Sequence, residues 1–264
     1  MKTKDYLKYY ERLQTPYLKG KNVVLTGISS GIGQSTAEVL ARLGAKQVLI
    51  YNSNTDGANK TMEMVEAAGG EAKLFQGDLG KYEVAVELAK VCKEYLGHVD
   101  ALINNSGTHS PLTLLDTDEA AWQRIMDINL NSVYNVSRNI IPLMTEQKGA
   151  KVINNSSIVA KSGGMNGGTN YTTSKGGVSA FTRSLANHLA PYGMTVNTVS
   201  PGMTKTRLIT WRTDEQMAES IENIPLKRVG YTEEIGTCIA FLLSSYADCI
   251  TGYEMDINGG MFID

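Results

Sequence analysis

The sequence is poor in the residues that build metal centres and disulfide frameworks. Its 264 residues include three cysteines and three histidines, scattered along the chain without a close pair at a ligand-like spacing. An odd number of dispersed cysteines is not typical of a disulfide-stabilised scaffold, and the spacing does not fit a zinc site. The sequence therefore predicts no bound metal and no disulfide framework.

Excess charge and long apolar runs are lacking as well. Lysine plus arginine number 25 and aspartate plus glutamate 27, which gives a net charge of -2. Such a chain has no general attraction for phosphate backbones, so we expect no nucleic-acid partner. No apolar run approaches the roughly 18 residues that span a membrane, and the charged, tyrosine-rich start has no apolar signal-peptide core. We expect a cytoplasmic protein without a membrane partner.

What the sequence does contain is a regular alternation of two kinds of segment. Short β-branched and apolar runs alternate with longer segments of helical periodicity, which predicts an α/β fold. We expect a single-domain, Rossmann-type, doubly wound parallel sheet with helices on both faces. The predicted strands are residues 23–26, 48–51, 73–76, 101–103, 152–155, 195–199 and 254–257, and the clearest predicted helices are residues 36–43, 82–96, 119–141 and 176–189.

A glycine-rich turn follows the first predicted strand directly. Glycines at such a junction permit a tight turn, let main-chain N–H groups approach a pyrophosphate, and leave a helix N-terminus facing the phosphate. An ordinary glycine turn is the alternative, but the position between the first strand and the first helix favours nucleotide binding. The predicted cofactor contacts in this turn are Gly27, Ser29, Ser30, Gly31, Ile32 and Gly33.

A tyrosine and a lysine lie four residues apart in a segment that reads as one helix. Tyr171 and Lys175 therefore share a helix face. Carbonyl reduction needs a proton donor near neutrality, and an ammonium group within about 4–6 Å would lower the pKa of the phenol by about 1–3 pH units. The spacing alone proves little, because Tyr17 and Lys21 share it, and we interpret that pair as surface decoration. A preceding strand that ends in two serines favours the pair at Tyr171.

Several motifs occur in the order that is typical of one enzyme family. From about residue 19 to its end, the sequence resembles the short-chain dehydrogenases/reductases, in particular the subgroup similar to 3-oxoacyl-acyl-carrier-protein reductases. The motifs are TGxxxGxG at residues 26–33, Asp78-Leu79, NNSG at residues 104–107, Asn129, the serine pair at 156 and 157, YxxxK at residues 171–175, Pro201-Gly202 and NGG at residues 258–260. The family usually has Ala where this chain has Ser106.

The resemblance implies an NAD(P)-dependent oxidoreductase acting on CH–OH and C=O groups. Tyr171 would be the acid/base, and Ser157 would hold the substrate carbonyl, with Ser156 as the alternative. The resemblance implies that Lys175 hydrogen-bonds the nicotinamide ribose and that Asn129 holds a water that relays protons. The alternative for Asn129 is a polar residue that only bridges a helix irregularity. Further cofactor contacts would come from Asn52, Ser53, Asp78, Leu79, Asn105, Ser106, Gly107, Tyr171, Lys175, Pro201, Gly202, Thr204 and Thr206.

The end of the second predicted strand bears on the choice between NADP and NAD. An acidic residue there would bind the ribose hydroxyls and repel an additional phosphate. The strand instead ends in Asn52 and Ser53, which could accept a phosphate or simply form a turn. Family members that use NADP often have a basic residue beside the glycine turn, where this chain has Ser30 and Gln34. The sequence favours NADP, and NAD is the alternative.

The resemblance also bears on domains and assembly. We expect residues 1–18 to form an N-terminal extension and residues 19–264 the dinucleotide-binding catalytic domain. Within that domain, residues 203–225 are polar with interspersed apolar side chains, a composition that suits a mobile substrate lid. The family further implies a homotetramer, built through the helices that contain Asn129 and Tyr171 and through the C-terminal strand.

The sequence favours a small carbonyl or alcohol as substrate. Candidate pocket residues, chosen from their place in loops, are His109, Met165, Asn166, Met203 and Trp211. The alternative is a 3-oxoacyl-acyl-carrier-protein reductase, which would hold its acidic carrier with arginines. Asn187 and Tyr192 stand where these arginines are expected, and only Lys148 is basic nearby. A non-catalytic NADP-sensing protein is less favoured, because all four catalytic residue types are present.

Overall fold

The computed structural model describes residues 17–164, 168–206 and 213–263. Their seven strands form one sheet in the order β3-β2-β1-β4-β5-β6-β7, and every neighbouring pair is parallel. This is the predicted doubly wound α/β sheet, which confirms the expected fold class. The strands are β1 (Asn22–Thr26), β2 (Lys46–Tyr51), β3 (Glu71–Gln76), β4 (Ala101–Asn104), β5 (Lys151–Asn155), β6 (Thr195–Pro201) and β7 (Glu254–Ile257).

The helices cover both faces of the sheet. A π-helical segment, Asp127–Asn131, separates the fourth α-helix from the fifth. The α-helices are α1 (Gly31–Arg42), α2 (Thr55–Ala67), α3 (Tyr82–Leu96), α4 (Glu119–Met126), α5 (Ser132–Ile140), α6 (Val159–Ser162), α7 (Thr169–Leu189), α8 (Asp214–Glu222) and α9 (Thr232–Leu243).

The hydrophobic core has two layers, one on each face of the sheet. One layer contains buried side chains of α1, α2 and α9, and the other contains buried side chains of α3, α5 and α7. Successive residues of β1 alternate between them: Val23 and Leu25 belong to the first layer and Val24 to the second. Because both faces of the central strands are covered, these strands read as continuous apolar runs rather than alternating ones.

Local sequence explains where individual helices begin and end. In α3, Ala85, Leu88, Cys92 and Leu96 are buried at helical spacing, and Gly97 ends the helix with a positive φ of 80°. In α2, the N-cap Asn54 accepts a hydrogen bond from the main-chain N–H of Gly57 at 3.1 Å.

All seven predicted strands are confirmed, and the structure extends most of them by one or two residues. The helical stretch predicted over residues 119–141 is confirmed, and a π segment interrupts its α-helical course. The helix predicted from residue 176 begins at Thr169, so Tyr171 and Lys175 both lie on it. None of the helices in the described ranges is both long and apolar enough to cross a membrane.

Candidate active site

The glycine turn lies at the carboxyl edge of the sheet, between β1 and α1. Gly27 and Gly31 have φ values of 73° and 58°, in the region that favours glycine. A Cβ on Gly33 would lie 2.2 Å from the main-chain oxygen of Gly27, so only glycine fits there. Among the described residues, the N-cap Ser30 makes no side-chain capping hydrogen bond. The turn therefore presents main-chain N–H groups at a helix N-terminus, which suits the pyrophosphate of a dinucleotide.

Hydrogen bonds tie this turn to the neighbouring strand ends. The Thr26 hydroxyl oxygen accepts the main-chain N–H groups of Asn105 and Ser106, both at 2.9 Å. The Asn105 side chain donates to the main-chain oxygens of Thr26 and Gly27 at 3.1 Å, and it accepts from Asn155 at 2.8 Å. The ends of β1, β4 and β5 thus form one fixed platform, as predicted for ligand-binding loops of an open α/β sheet.

Asn129 lies in the π segment and is fully buried. Its side-chain oxygen accepts the Thr108 main-chain N–H at 2.8 Å, and its amide nitrogen donates to the Thr108 oxygen and the Ser174 hydroxyl, each at 3.0 Å. Asn129 therefore fixes the loop after β4 to α7. These contacts agree with the second of the two interpretations of Asn129, in which it bridges a helix irregularity.

Lys175 is buried on α7, one turn after Tyr171. Its ammonium group donates to the main-chain oxygen of Asn155, at the end of β5, at 2.8 Å. A Cβ on Gly107 would lie 3.2 Å from Lys175 Nζ and 3.3 Å from Asn129 Oδ1, so a side chain there would crowd both groups. Burial lowers the pKa of Lys175 to about 8, because removal from water disfavours the charged form.

Tyr171 is half-buried, and its phenol lies beside the side chain of Ser157. Burial raises the pKa of Tyr171, and the Ser157 hydrogen bond opposes that rise. The prediction that Lys175 lowers the pKa of this phenol is wrong for this arrangement. The ammonium group donates to the main-chain oxygen of Asn155 instead.

The structure separates the two candidate serines. The buried Ser156 hydroxyl donates to the main-chain oxygen of Lys175 at 2.9 Å and lies 3.0 Å from the Ser179 hydroxyl. Ser156 therefore joins β5 to α7, whereas Ser157 contacts the phenol of Tyr171.

The remaining predicted cofactor residues of β2 and β3 lie along the same edge of the sheet. Asn52 and Ser53 are exposed after β2. Asp78 accepts the Gly80 main-chain N–H at 3.1 Å, and Leu79 is buried.

The loop after β6 approaches the glycine turn from the other side. A Cβ on Gly31 would lie 3.1 Å from the Thr206 methyl group. Thr204 forms a β-bridge with Gly230, and the Gly202 N–H donates to the main-chain oxygen of Ile257 at 3.0 Å. Pro201, which ends β6, accepts the N–H of Ile158 through its oxygen at 3.1 Å. The start of the predicted lid is thus anchored.

Among the candidate pocket residues, His109 contacts the catalytic region directly. Its ring centroid is 5.0 Å from that of Tyr171, in an edge-on arrangement. Met203 is half-buried in the anchored loop after β6. Met165, Asn166 and Trp211 lie outside the described residues.

Sequence reasoning missed two residues that organise the site, Thr26 and Asn155. Both are polar residues at the last position of a buried strand. A polar residue that ends a predicted strand is the signal that could have identified them, because strand ends meet at the ligand-binding edge.

Comparison with known proteins defines the class. A family model described as enoyl-(acyl carrier protein) reductase matches residues 27–262. The 3-oxoacyl-[acyl-carrier-protein] reductases of Staphylococcus epidermidis and Escherichia coli are each 35% identical to this chain, over 92% and 93% of it and 99% and 98% of their own lengths.

Solved structures agree with this class. A short-chain dehydrogenase/reductase described as glucose/ribitol dehydrogenase, from Brucella melitensis, has a TM-score of 0.87 and 28% identity, and covers 93% of this chain and 98% of its own. A short-chain dehydrogenase from Burkholderia cenocepacia in complex with NADP also has a TM-score of 0.87, with 26% identity over 93% of this chain and 99% of its own.

The fold and the matches define an oxidoreductase built on a dinucleotide-binding sheet. The chain belongs to the short-chain dehydrogenase/reductase family. It is an NAD(P)-dependent oxidoreductase that acts on CH–OH and C=O groups.

Proposed function

We propose that this oxidoreductase interconverts small, free carbonyl compounds and secondary alcohols, with Tyr171 as the general acid/base. The observation that carries the proposal is the position of Tyr171 beside Ser157, on the same helix as Lys175, whose ammonium group donates to the end of β5. A hydroxyl pair of this kind can hold one carbonyl oxygen from two sides.

Each residue of the pair has a separate task. Ser157 binds the carbonyl oxygen and orients it, and Tyr171 donates the proton that this oxygen gains. A bound nicotinamide supplies the hydride in reduction and accepts it in oxidation. Lys175 would bind the nicotinamide ribose, and Asn129 would connect Lys175 to solvent through water. The carbonyl carbon gains the hydride, the oxygen gains the proton, and the reverse occurs in oxidation.

The preferred cofactor is proposed to be NADP. Asn52 and Ser53 are exposed where a ribose phosphate would lie, and they carry no negative charge that would repel it. The glycine cradle of Gly27, Gly31 and Gly33 supports binding of the pyrophosphate, since side chains there would collide with main chain or with Thr206.

Replacement of Tyr171 by Phe tests the function. We expect coenzyme affinity to change by less than about threefold, and turnover with a panel of ketones to fall by about two to four powers of ten, because the general acid is removed. Coenzyme binding, measured by fluorescence titration, is the control for a folded site. Turnover near the wild-type rate would refute the role of Tyr171.

The similarity to two 3-oxoacyl-[acyl-carrier-protein] reductases favours a second candidate, reduction of carrier-bound 3-oxoacyl groups. Against it, Asn187 and Tyr192 are exposed where the family's carrier-binding arginines are expected, and neither of them carries a positive charge. Docking of an acidic carrier should therefore be weak. A comparison of the same 3-oxoacyl group, carrier-bound and free, over a salt series decides it. Strong, salt-sensitive preference for the carrier form would favour the second candidate.

We propose a homotetramer on the basis of apolar surface. A groove of about 240 Å³ lies between α5 and α7 and is lined by Tyr134, Phe181 and Leu185, among others. Tyr134 is 50% exposed, and Tyr253 before β7 is 54% exposed. Covering these surfaces with second copies would bury apolar area. Analytical ultracentrifugation is expected to give about four chain masses, and a monomer would contradict the proposal.

The domain division and the lid remain proposals. Residues 1–18 are assigned to an extension and residues 203–225 to a lid. The lid assignment is supported by α8, which buries none of its residues and begins with a capping box at Thr213. A helix that buries none of its residues is held by few contacts and can move relative to the rest of the domain.

A further inference from the structure

His109 occupies an unusual position beside the proposed acid/base. Its ring meets that of Tyr171 edge-on, with an interplanar angle of 66° and 5.0 Å between the centroids. Edge-on aromatic pairs of this spacing are favourable contacts, so the imidazole has a defined place against the phenol. The reacting carbonyl oxygen must reach the hydroxyl of this same phenol.

Hydrogen bonds on both sides hold the backbone of His109. The preceding residue, Thr108, uses its N–H and its oxygen to bind Asn129. The following residue, Ser110, is buried, and its oxygen accepts the N–H of Gly168 at 2.7 Å. Gly168 is the N-cap of α7, the helix that carries Tyr171. His109 is therefore presented by a fixed backbone rather than by a free loop, which a selective contact requires.

The close fit at Gly168 shows how tightly the loop and α7 meet. A Cβ on this residue would lie 2.3 Å from the main-chain oxygen of Leu112 and 2.8 Å from that of Ser110. The main chain at Ser110 and Leu112 thus packs closely against the start of α7. This packing fixes the backbone from which the imidazole reaches the phenol.

The chemistry of imidazole defines what it can select. It has two ring nitrogens, and at least one of them carries a hydrogen in every protonation state. A substrate oxygen on the carbon next to the reacting carbonyl lies about 3 Å from the carbonyl oxygen, a separation comparable to one hydrogen bond. A second oxygen so placed would remain within the reach of a group that flanks Tyr171.

We propose that His109 is a specificity-determining residue that hydrogen-bonds an oxygen on the carbon adjacent to the reacting carbonyl. The substrate class is then α-hydroxyketones and α-dicarbonyls, and in the oxidative direction vicinal diols. The hydride and the proton still go to the reacting carbonyl, and the adjacent oxygen is unchanged. The inference rests on the proposed function, in which Tyr171 is the acid/base.

A matched pair of ketones tests this assignment. 3-Hydroxybutan-2-one and butan-2-one differ by one oxygen on the adjacent carbon. We expect wild-type kcat/KM to favour the hydroxyketone by about tenfold or more, since a site built to bind an oxygen discriminates strongly against its absence. His109→Leu should lower this ratio by about tenfold or more, mainly through the KM of the hydroxyketone.

Two variants serve as controls. His109→Gln keeps a hydrogen-bond donor and acceptor and should restore the ratio to within about threefold of wild type. His188→Leu makes the same kind of change at an exposed position near the end of α7 and should leave the ratio unaltered. Calorimetric titration of 3-hydroxy-3-methylbutan-2-one, a tertiary alcohol that cannot be oxidised, into enzyme with oxidised coenzyme gives a readout without turnover, and His109→Leu should weaken this binding by about tenfold or more.

The outcomes are distinguishable. An unchanged ratio in His109→Leu, or an equal loss of kcat/KM for both ketones, would overturn the role of His109 even if Tyr171→Phe abolishes turnover. Undiminished turnover in Tyr171→Phe would instead overturn the proposed function. A lowered ratio that Gln restores, together with weaker calorimetric binding, supports the inference.

Discussion

A buried lysine should make the free energy of unfolding of this protein rise with pH in the alkaline range. Lys175 is 4% exposed, and burial lowers its pKa from 10.5 to about 8. In the unfolded chain the ordinary value returns, so the unfolded state binds more protons between these two pH values. Stability therefore rises with pH through this window, because the folded state no longer has to bury a charge.

The size of the effect follows from the two pKa values. Each pH unit between about 8 and 10.5 contributes about 1.4 kcal/mol. Relative to a variant without this group, the wild type should gain about 2–3 kcal/mol in free energy of unfolding between about pH 7 and pH 10. Lys175→Met is the appropriate variant, because it removes the charge and keeps an unbranched side chain of similar length.

The substitution also has an effect that does not depend on pH. Met cannot donate to the main-chain oxygen of Asn155, which Lys175 reaches at 2.8 Å. Loss of that hydrogen bond costs about 1–3 kcal/mol. The same cost applies at both pH values and cancels when the change with pH is compared between the two proteins.

Urea unfolding at about pH 7 and pH 10, at one protein concentration and without coenzyme, measures the difference. Lys93→Met, on the exposed side of α3, is the matched control, and its stability should follow that of wild type within about 0.5 kcal/mol at both pH values. If wild type and Lys175→Met change in parallel between the two pH values, the reasoning about the buried ammonium group is refuted.

Two other substitutions test the scaffold and the cofactor. Asn129→Ala should lower the free energy of unfolding, measured in urea, by about 2–4 kcal/mol, because both main-chain groups of Thr108 lose their buried partner. Asn131→Ala is the control, because the Asn131 side chain bonds locally to Asp127, and it should cost less than about 1 kcal/mol. Equal effects of the two substitutions would contradict this interpretation. Asn52→Asp should lower the ratio of kcat/KM for NADPH to that for NADH by about tenfold or more, through charge repulsion, and an unchanged ratio would argue against the NADP proposal.

The fold was largely predictable from the sequence, because it depends on local patterns. Each buried strand is a short run of β-branched and apolar residues between helical segments, and this pattern located all seven. The π segment at Asp127–Asn131 was not predictable, because the apolar periodicity of residues 119–141 continues through it. Its cause is tertiary: Asn129 bonds to a loop and to another helix.

In the candidate site, too, local patterns were predictable and tertiary contacts were not. Order and spacing brought Tyr171, Lys175 and the serine pair to attention, and the structure places them at one edge of the sheet. The direction of the Lys175 ammonium group, and the contrast between Ser156 and Ser157, depend on contacts with Asn155 and Ser179, which are distant in sequence. Pair spacing on one helix cannot reveal such contacts, so the expected effect of Lys175 on the phenol was wrong.

The π segment has a consequence for any change in chain length nearby. Each residue advances an α-helix by about 100° around its axis. Deleting one residue within Asp127–Asn131 would let a regular α-helix continue with α5 in its present orientation, because a π turn holds one more residue than an α turn. Forcing the segment into α-helical geometry at the present chain length would instead turn all of α5 by about 100°. Val136 and Ile140, now fully buried, would then rotate out of their core layer. The π turn therefore tolerates the removal of one residue but not its own conversion to an α-helix at full length.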